Sequence, residues 1–242
     1  MTATNTAPAA GVRAPLTLIG TGALAMVAVE GLNPQYDLVS ETLSRYVHGT
    51  AGWLLPAALL AVGAASAVLA VRLGAGTRRA GRAALVVWTA GILVAALFPA
   101  DPPGHWRRPS LSELVHGNAA FLAFAALPTA ALLLRGTLVA RRPGLRTACA
   151  RPAHGLRTAC ARPAHGLRTA LNALTTASVT GTAALAVFLA DVMDGGPSWG
   201  LGGAPTLVGL VERLVLAADF GWVALALVAV GSRGEQGRDR RA

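Results

Sequence analysis

Six long apolar stretches, with arginine crowded into alternate gaps between them, restrict this chain to one kind of fold. A bilayer core about 30 Å thick takes roughly 20 mostly apolar residues per helical crossing. Stretches of that kind lie near Pro15–Leu32, Gly49–Val71, Ala83–Pro99, Leu114–Leu134, Leu171–Val192 and Leu207–Val230. The chain therefore reads as an all-α polytopic membrane protein with six transmembrane helices in one bundle. Its 242 residues, 54% hydrophobic and 13% charged, leave no room for a separate globular domain. Few aromatic side chains and abundant Ala and Gly point to helices packed through small residues.

The net charge of +10 would suggest nucleic acid in a soluble protein, but its distribution gives a different answer. All 21 basic residues are arginine. Arg13 precedes the first span, Arg72, Arg78, Arg79 and Arg82 follow the second, and a run from Arg135 to Arg168 separates the fourth from the fifth. Arg233, Arg238, Arg240 and Arg241 end the chain, and the remaining gaps hold only Arg45, Arg107 and Arg108. By the positive-inside rule both termini are cytoplasmic and three loops lie outside the cell membrane. The expected partners of the arginine-rich loops are anionic lipids of the inner leaflet, at about 1 kcal/mol per arginine, and no nucleic acid is expected.

Residues 1–12 read as a disordered tail, 13–231 as the membrane domain and 232–242 as a basic C-terminal tail. Met1–Val12 carries no charged region beyond the start, so the first span is expected to be retained rather than cleaved. Within the membrane domain, 135–168 reads as a basic cytoplasmic loop built on a tandem repeat: the eleven residues of Gly144–His154 recur as Gly155–His165. Perfect identity of adjacent copies indicates in-frame duplication, and Pro and Gly in every copy are expected to interrupt helix. Both cysteines, Cys149 and Cys160, belong to the repeat, each in a Cys-x4-His spacing. Zinc binding is one reading; a disordered basic loop with one Cys and one His copied is the simpler one, and a reducing cytosol gives no disulfide.

The acidic residues mirror the arginines. Asp37, Glu41, Asp101, Glu113, Asp191 and Asp194 sit in or beside the outer gaps with His48, His105 and His116, while Glu30, Glu212, Arg213 and Asp219 lie within spans. The segment Asp37–His48 patterns as an amphipathic helix capping the bundle or lying on the outer surface. Ser110-Leu-Ser-Glu113 fits a capping box that would start the fourth helix at Leu111, and Trp199 is a candidate interfacial anchor. Ionisable groups inside spans usually face the bundle interior. Arg213 has Glu212, Glu30 and the outer loops as candidate partners, and Asp219 shares a face with Glu212. No nucleophile elbow and no phosphate-binding loop is present.

Three stretches carry a resemblance: Tyr36-Asp37-Leu-Val-Ser40-Glu-Thr-Leu-Ser44 after the first span; Phe98-Pro99-Ala-Asp101 with Leu114-Val-His116-Gly117 around the second outer gap; and Gly209-Leu-Val-Glu212-Arg213 opening the last span. Together they resemble the bacterial six-span family catalogued as domain of unknown function 998, over roughly Leu16–Val230 but excluding the arginine-rich repeat, which reads as an insertion particular to this chain. The resemblance implies the six-helix architecture and draws attention to Asp37, Ser40, Asp101, His116, Glu212 and Arg213, but supplies no reaction.

The first functional expectation is an outward polar pocket for a lipid headgroup or small solute, drawn from Asp37, Ser40, Asp101, Glu113, His116, Glu212, Arg213 and Asp219, with no cofactor. A competing class is an intramembrane metal-dependent lipid hydrolase, with a divalent metal held by Asp37, Asp101, Glu113 and His116. A third is an accessory subunit that docks through its small-residue faces and basic loop. The orientation is directly testable: in a cysteine-free background, a cysteine at Gly104 should label with impermeant reagent from outside, and one at Gly76 should not. The reverse pattern overturns it.

Overall fold

Backbone breakers set most of the helix ends. The computed structural model describes residues 10–74, 77–103, 108–140, 156–194 and 199–231. Helix α1 (Ala10–Gly31) stops just ahead of Asn33-Pro34, where the residue before proline is pushed out of helical geometry. A short 3-10 helix, Leu43–His48, precedes α2 (Leu54–Leu73). Then come α3 (Arg79–Leu97), α4 (Leu111–Ala140), α5 (Leu156–Met193) and α6 (Val208–Gly231). All six α-helices are long and apolar enough to cross a membrane, so this is a multi-pass integral membrane protein. Among the described residues the only strand-like feature is an isolated Leu201–Ala204 bridge.

Three expectations need correction. Asp37–His48 is not one amphipathic helix. The Asp37 carboxylate accepts the Val39 N–H at 3.1 Å and the Ser40 hydroxyl at 2.5 Å, a local turn that competes with helix, and helical geometry starts only at Leu43. Second, α2 begins at Leu54 rather than Gly49, because 49–53 form a turn in which Ala51 has φ of 55°. Third, the basic segment 135–168 is helical at both flanks. Helix α4 runs to Ala140, and α5 already starts in the second repeat copy and passes through Pro163 and Gly166. Proline removes one backbone hydrogen bond, and the surrounding Leu, Ala and Arg are strong enough helix formers to carry the backbone across it. The repeat's side chains, and with them the zinc reading, lie outside the described residues, as do residues 1–9 and 232–242.

Helix α6 is the hub of the bundle. It packs against α1, α2, α4, α5 and the 3-10 helix, and buries Val215, Trp222, Val223, Ala226 and Leu227 completely. The most extensive helix pair is α3 with α4. Small residues bring helices together as expected: Gly91 of α3 leaves space where a Cβ would stand 2.7 Å from the Ala119 carbonyl and 2.9 Å from the Ala123 Cβ on α4. Gly22 of α1 similarly admits Ala58 and Val62 of α2. With no hydrophobic drive between helices in lipid, close backbone approach is the main source of packing energy. The start of α1 meets the end of α6, since Gly231 faces Val12, and Arg72 donates to the Gly11 carbonyl at the same end. At the opposite end lie the 3-10 helix and the α3–α4 and α5–α6 connections.

Gly91→Leu should lower unfolding stability in detergent by about 1–3 kcal/mol through overpacking. Gly136→Ala, where an added methyl meets nothing within 4 Å, should be close to neutral. Equal effects at both positions would show that the α3–α4 contact is not close-packed.

Candidate functional site

The α1–α2 connection is folded down onto the bundle. Asn33 closes it like a clasp: its amide donates to the Val29 carbonyl at 2.7 Å and the Thr50 carbonyl at 2.9 Å. Its oxygen accepts the Thr50 N–H at 2.6 Å and the Gln35 amide at 2.9 Å. The clasped segment then docks on the first turns of α6. The otherwise unpaired Leu210 N–H donates to the Val39 carbonyl at 3.0 Å. The Glu212 carboxylate accepts the Leu43 N–H at 2.6 Å, and Arg213 donates to the Glu41 carbonyl at 2.9 Å. Glu212 does for the 3-10 helix what a capping side chain would do, since Thr42 makes no such bond. Gly209 is required here, because a Cβ would run into the Glu41 carbonyl.

Arg213 selects one of its candidate partners. Its Nε lies 2.5 Å from the Glu30 carboxylate, tying α6 to α1, while Nη1 also reaches the Gly209 carbonyl at 2.8 Å. The guanidinium sits 5.4 Å from the ring centre of Tyr46, which meets Tyr36 edge-on at 4.9 Å. Glu212, its sequence neighbour, points elsewhere.

The α3–α4 connection forms the other wall. Ser110 Oγ accepts the Glu113 N–H at 3.1 Å, which is one half of the capping box. The other half is exchanged: Glu113 accepts the Asp101 N–H at 2.5 Å, and Asp101 accepts the Ser110 N–H at 2.7 Å. His116 Nδ1 contacts the Ala95 and Phe98 carbonyls at 3.0 and 2.9 Å. Both partners are acceptors, so Nδ1 carries a proton, and the ring caps the end of α3. Arg45, 2% exposed, donates to the Pro102 carbonyl at 2.7 Å and the Asp101 carbonyl at 3.3 Å. His48 Nε2 joins the same connection through the Ala100 carbonyl at 2.6 Å.

Between these walls opens a cleft of about 400 Å³. Its polar end is formed by Thr42, Ser44, Arg45, Glu113, His116 and Glu212. Its apolar length runs between Phe121, Phe124, Pro128 and Leu132 of α4 and Val179, Ala183, Ala186 and Leu189 of α5. Phe121, Ala125, Leu132, Ala183 and Ala186 are exposed, so the cleft opens sideways along the helices. Pro128 has no N–H to give the Phe124 carbonyl, and Thr182 of α5 donates to that carbonyl instead at 3.2 Å. A chamber of about 50 Å³ lies behind the cleft and shares Ser44, His116, Phe124 and Glu212 with it, large enough for water.

The candidate residues thus separate into distinct places. Glu113, His116 and Glu212 line the cleft, and Asp101 braces Glu113 from behind. Asp37 and Ser40 close a turn of their own, where the Ser40 hydroxyl and then the Val39 N–H hold the carboxyl below its ordinary value. Burial, conversely, pushes Glu41 upward. Arg213 belongs to the α1–α6 junction. Asp219, fully buried, accepts the Ser178 hydroxyl of α5 at 2.6 Å, while its second oxygen and the Trp222 indole N–H have no partner. The metal candidates Asp37, Asp101, Glu113 and His116 are not brought to one point, and among the described residues no three His, Cys, Asp or Glu are grouped to hold an ion. His105 lies outside the described residues. Sequence reasoning missed Asn33, Thr182 and Arg45. Arg45 did leave a signal, as a lone arginine in a gap that positive charge otherwise avoids.

The motifs of the α1–α2 connection, the α3–α4 connection and the opening of α6 meet at this end of the bundle in the order expected. A family match described as "Protein of unknown function (DUF998)" extends over residues 17–231. The chain belongs to the DUF998 family. No curated protein and no solved structure matches it. Within this DUF998 chain the match runs from inside α1 to the end of α6.

A double-mutant cycle tests the α1–α6 junction. Glu30→Gln or Arg213→Met alone should cost about 3 kcal/mol by stranding the other charge. The double variant should cost clearly less than the sum, read from unfolding midpoints in detergent. Strict additivity would show that the pair does not couple.

Proposed function

We propose that this DUF998 protein binds a bilayer amphiphile in the α4–α5 cleft, with the head at the Glu113–His116–Glu212 end and the chain along the helices. One observation carries the reading: a single cleft joins a buried polar end to an apolar trough that is open sideways, where the surrounding solvent is lipid. Its volume is in the range of ordinary small-molecule sites, and a few fixed polar groups on mostly apolar walls are what such sites use for orientation. A small water-soluble solute would leave the trough unfilled. In this reading the polar end faces outside the cell membrane, following the arginine distribution, and the arginine-rich end meets the anionic inner leaflet. The metal-dependent hydrolase class needs ligands converging on one point, and the carboxylates concerned are instead engaged with backbone N–H groups.

Ala183→Trp and Ala186→Trp should reduce lipid retained by the full chain on transfer from native membrane to nanodiscs, read by native mass spectrometry. Val71→Trp, on an exposed position outside the cleft, should not. Equal lipid retention in all of these variants and the parent overturns the reading.

A further inference from the structure

We infer that the start of α3 holds one phospholipid of net negative charge, its phosphate on Arg79 and Arg82. The place lies at the other end of the bundle from the polar end of the α4–α5 cleft, and nothing in the cleft reading bears on it. A groove of about 560 Å³ opens there, lined by Gly74 and by Arg79, Arg82, Ala83, Val86 and Val87 of α3. These α3 residues fall at i, i+3, i+4, i+7 and i+8. Two guanidiniums and two valines therefore share one helix face, charge above and hydrocarbon below. Val86 and Val87 are exposed, and on a membrane-crossing helix that exposure is to lipid chains. Helix α3 has 19 residues. Its rise of about 28 Å scarcely matches the hydrocarbon core of about 30 Å. The first turn of α3 thus sits at the level of lipid phosphates.

Three features of that turn point to an anion. The guanidiniums of Arg79 and Arg82 are exposed and make no hydrogen bond or ion pair among the described residues, and no acidic side chain lines the groove. Arginine keeps its charge, so this positive excess does not depend on pH. The turn also holds no acidic residue and does hold cations, against a helix dipole that favours negative charge there. Finally, Arg78 at the N-cap gives no side-chain hydrogen bond, so no capping oxygen serves the first N–H groups of α3. A phosphate answers all three, because its oxygens accept from guanidinium forks and from helix N-terminal N–H groups. A zwitterionic lipid brings the same phosphate with a cation of its own, which leaves the excess charge unanswered. The valines below commit the site to a lipid phosphate, since a free phosphate uses only the upper half of the groove.

The test places the full chain in phosphatidylcholine nanodiscs with a minor share of phosphatidylglycerol of matched chains. Retained lipid is read by native mass spectrometry. One phosphatidylglycerol should be retained about tenfold or more above its share of the bilayer. Arg79→Gln combined with Arg82→Gln should bring that enrichment to within about twofold. Both side chains are exposed, so core packing is untouched. Arg135→Gln combined with Arg168→Gln removes the same charge at the same end and should leave the enrichment unchanged. Glycerophosphoglycerol, the same head without chains, should not displace the lipid at equal concentration. Absence of enrichment in the parent, or enrichment that survives loss of Arg79 and Arg82, overturns the inference. Equal loss in both double variants overturns it in favour of diffuse attraction, and displacement by the chainless head in favour of a soluble phosphate ligand.

Discussion

The Arg213–Glu30 pair is the constraint on which one whole end of the bundle rests. An arginine within a span is costly unless its charge is answered nearby. Here Glu30 answers the charge and the Glu41 and Gly209 carbonyls take Nη1, while Nη2 is buried without a hydrogen-bond partner. The Glu41 bond draws the α1–α2 connection onto the first turns of α6, where Val39 accepts from Leu210 and Leu43 donates to Glu212. With Leu43 fixed, the 3-10 helix is seated, and Arg45 and His48 then reach the α3–α4 connection. One ion pair thereby orders α1, α6 and the α1–α2 connection, the roof that joins them to α3 and α4.

Charge at this end is divided between two tasks. On the α1–α6 side, Glu30 pairs with Arg213, the Tyr46 ring lies against the guanidinium, and the groups hold helices together. On the α4–α5 side, Thr42, Ser44, Arg45, Glu113, His116 and Glu212 gather at one end of an apolar trough. The first arrangement is what a structural lock requires. The second leaves its polar groups facing a cavity rather than another helix.

The spans were legible because hydrocarbon thickness sets a length that composition alone can satisfy, and the Ser110–Glu113 signal located the start of α4 at Leu111. The segment Asp37–His48 was misread because its periodicity fits a helix while Asp37 and Ser40 bond locally, a competition that a face pattern does not register. The start of α5 was misplaced because Pro163 and Gly166 were weighed without the helix formers around them. The polar rim was legible as a set of residue types, but not as separate places. Whether Glu113 meets His116, or Asp37 meets its own turn, depends on how α3, α4 and the roof cross, and no local spacing encodes that. Thr182 and Phe124 are far apart in the chain, and their bond exists only because Pro128 vacates an acceptor on a neighbouring helix.

That last exchange bears on how α4 can move. A continuous backbone ladder would make α4 a stiff rod whose carbonyls need nothing from α5. At Pro128 the ladder is interrupted, and the Phe124 carbonyl depends on the Thr182 hydroxyl instead, so prying α4 from α5 would strand it in hydrocarbon. The position where α4 can most easily bend is thus also the one where it is tied to its neighbour, so that flexibility along the helix comes with a fixed distance across it.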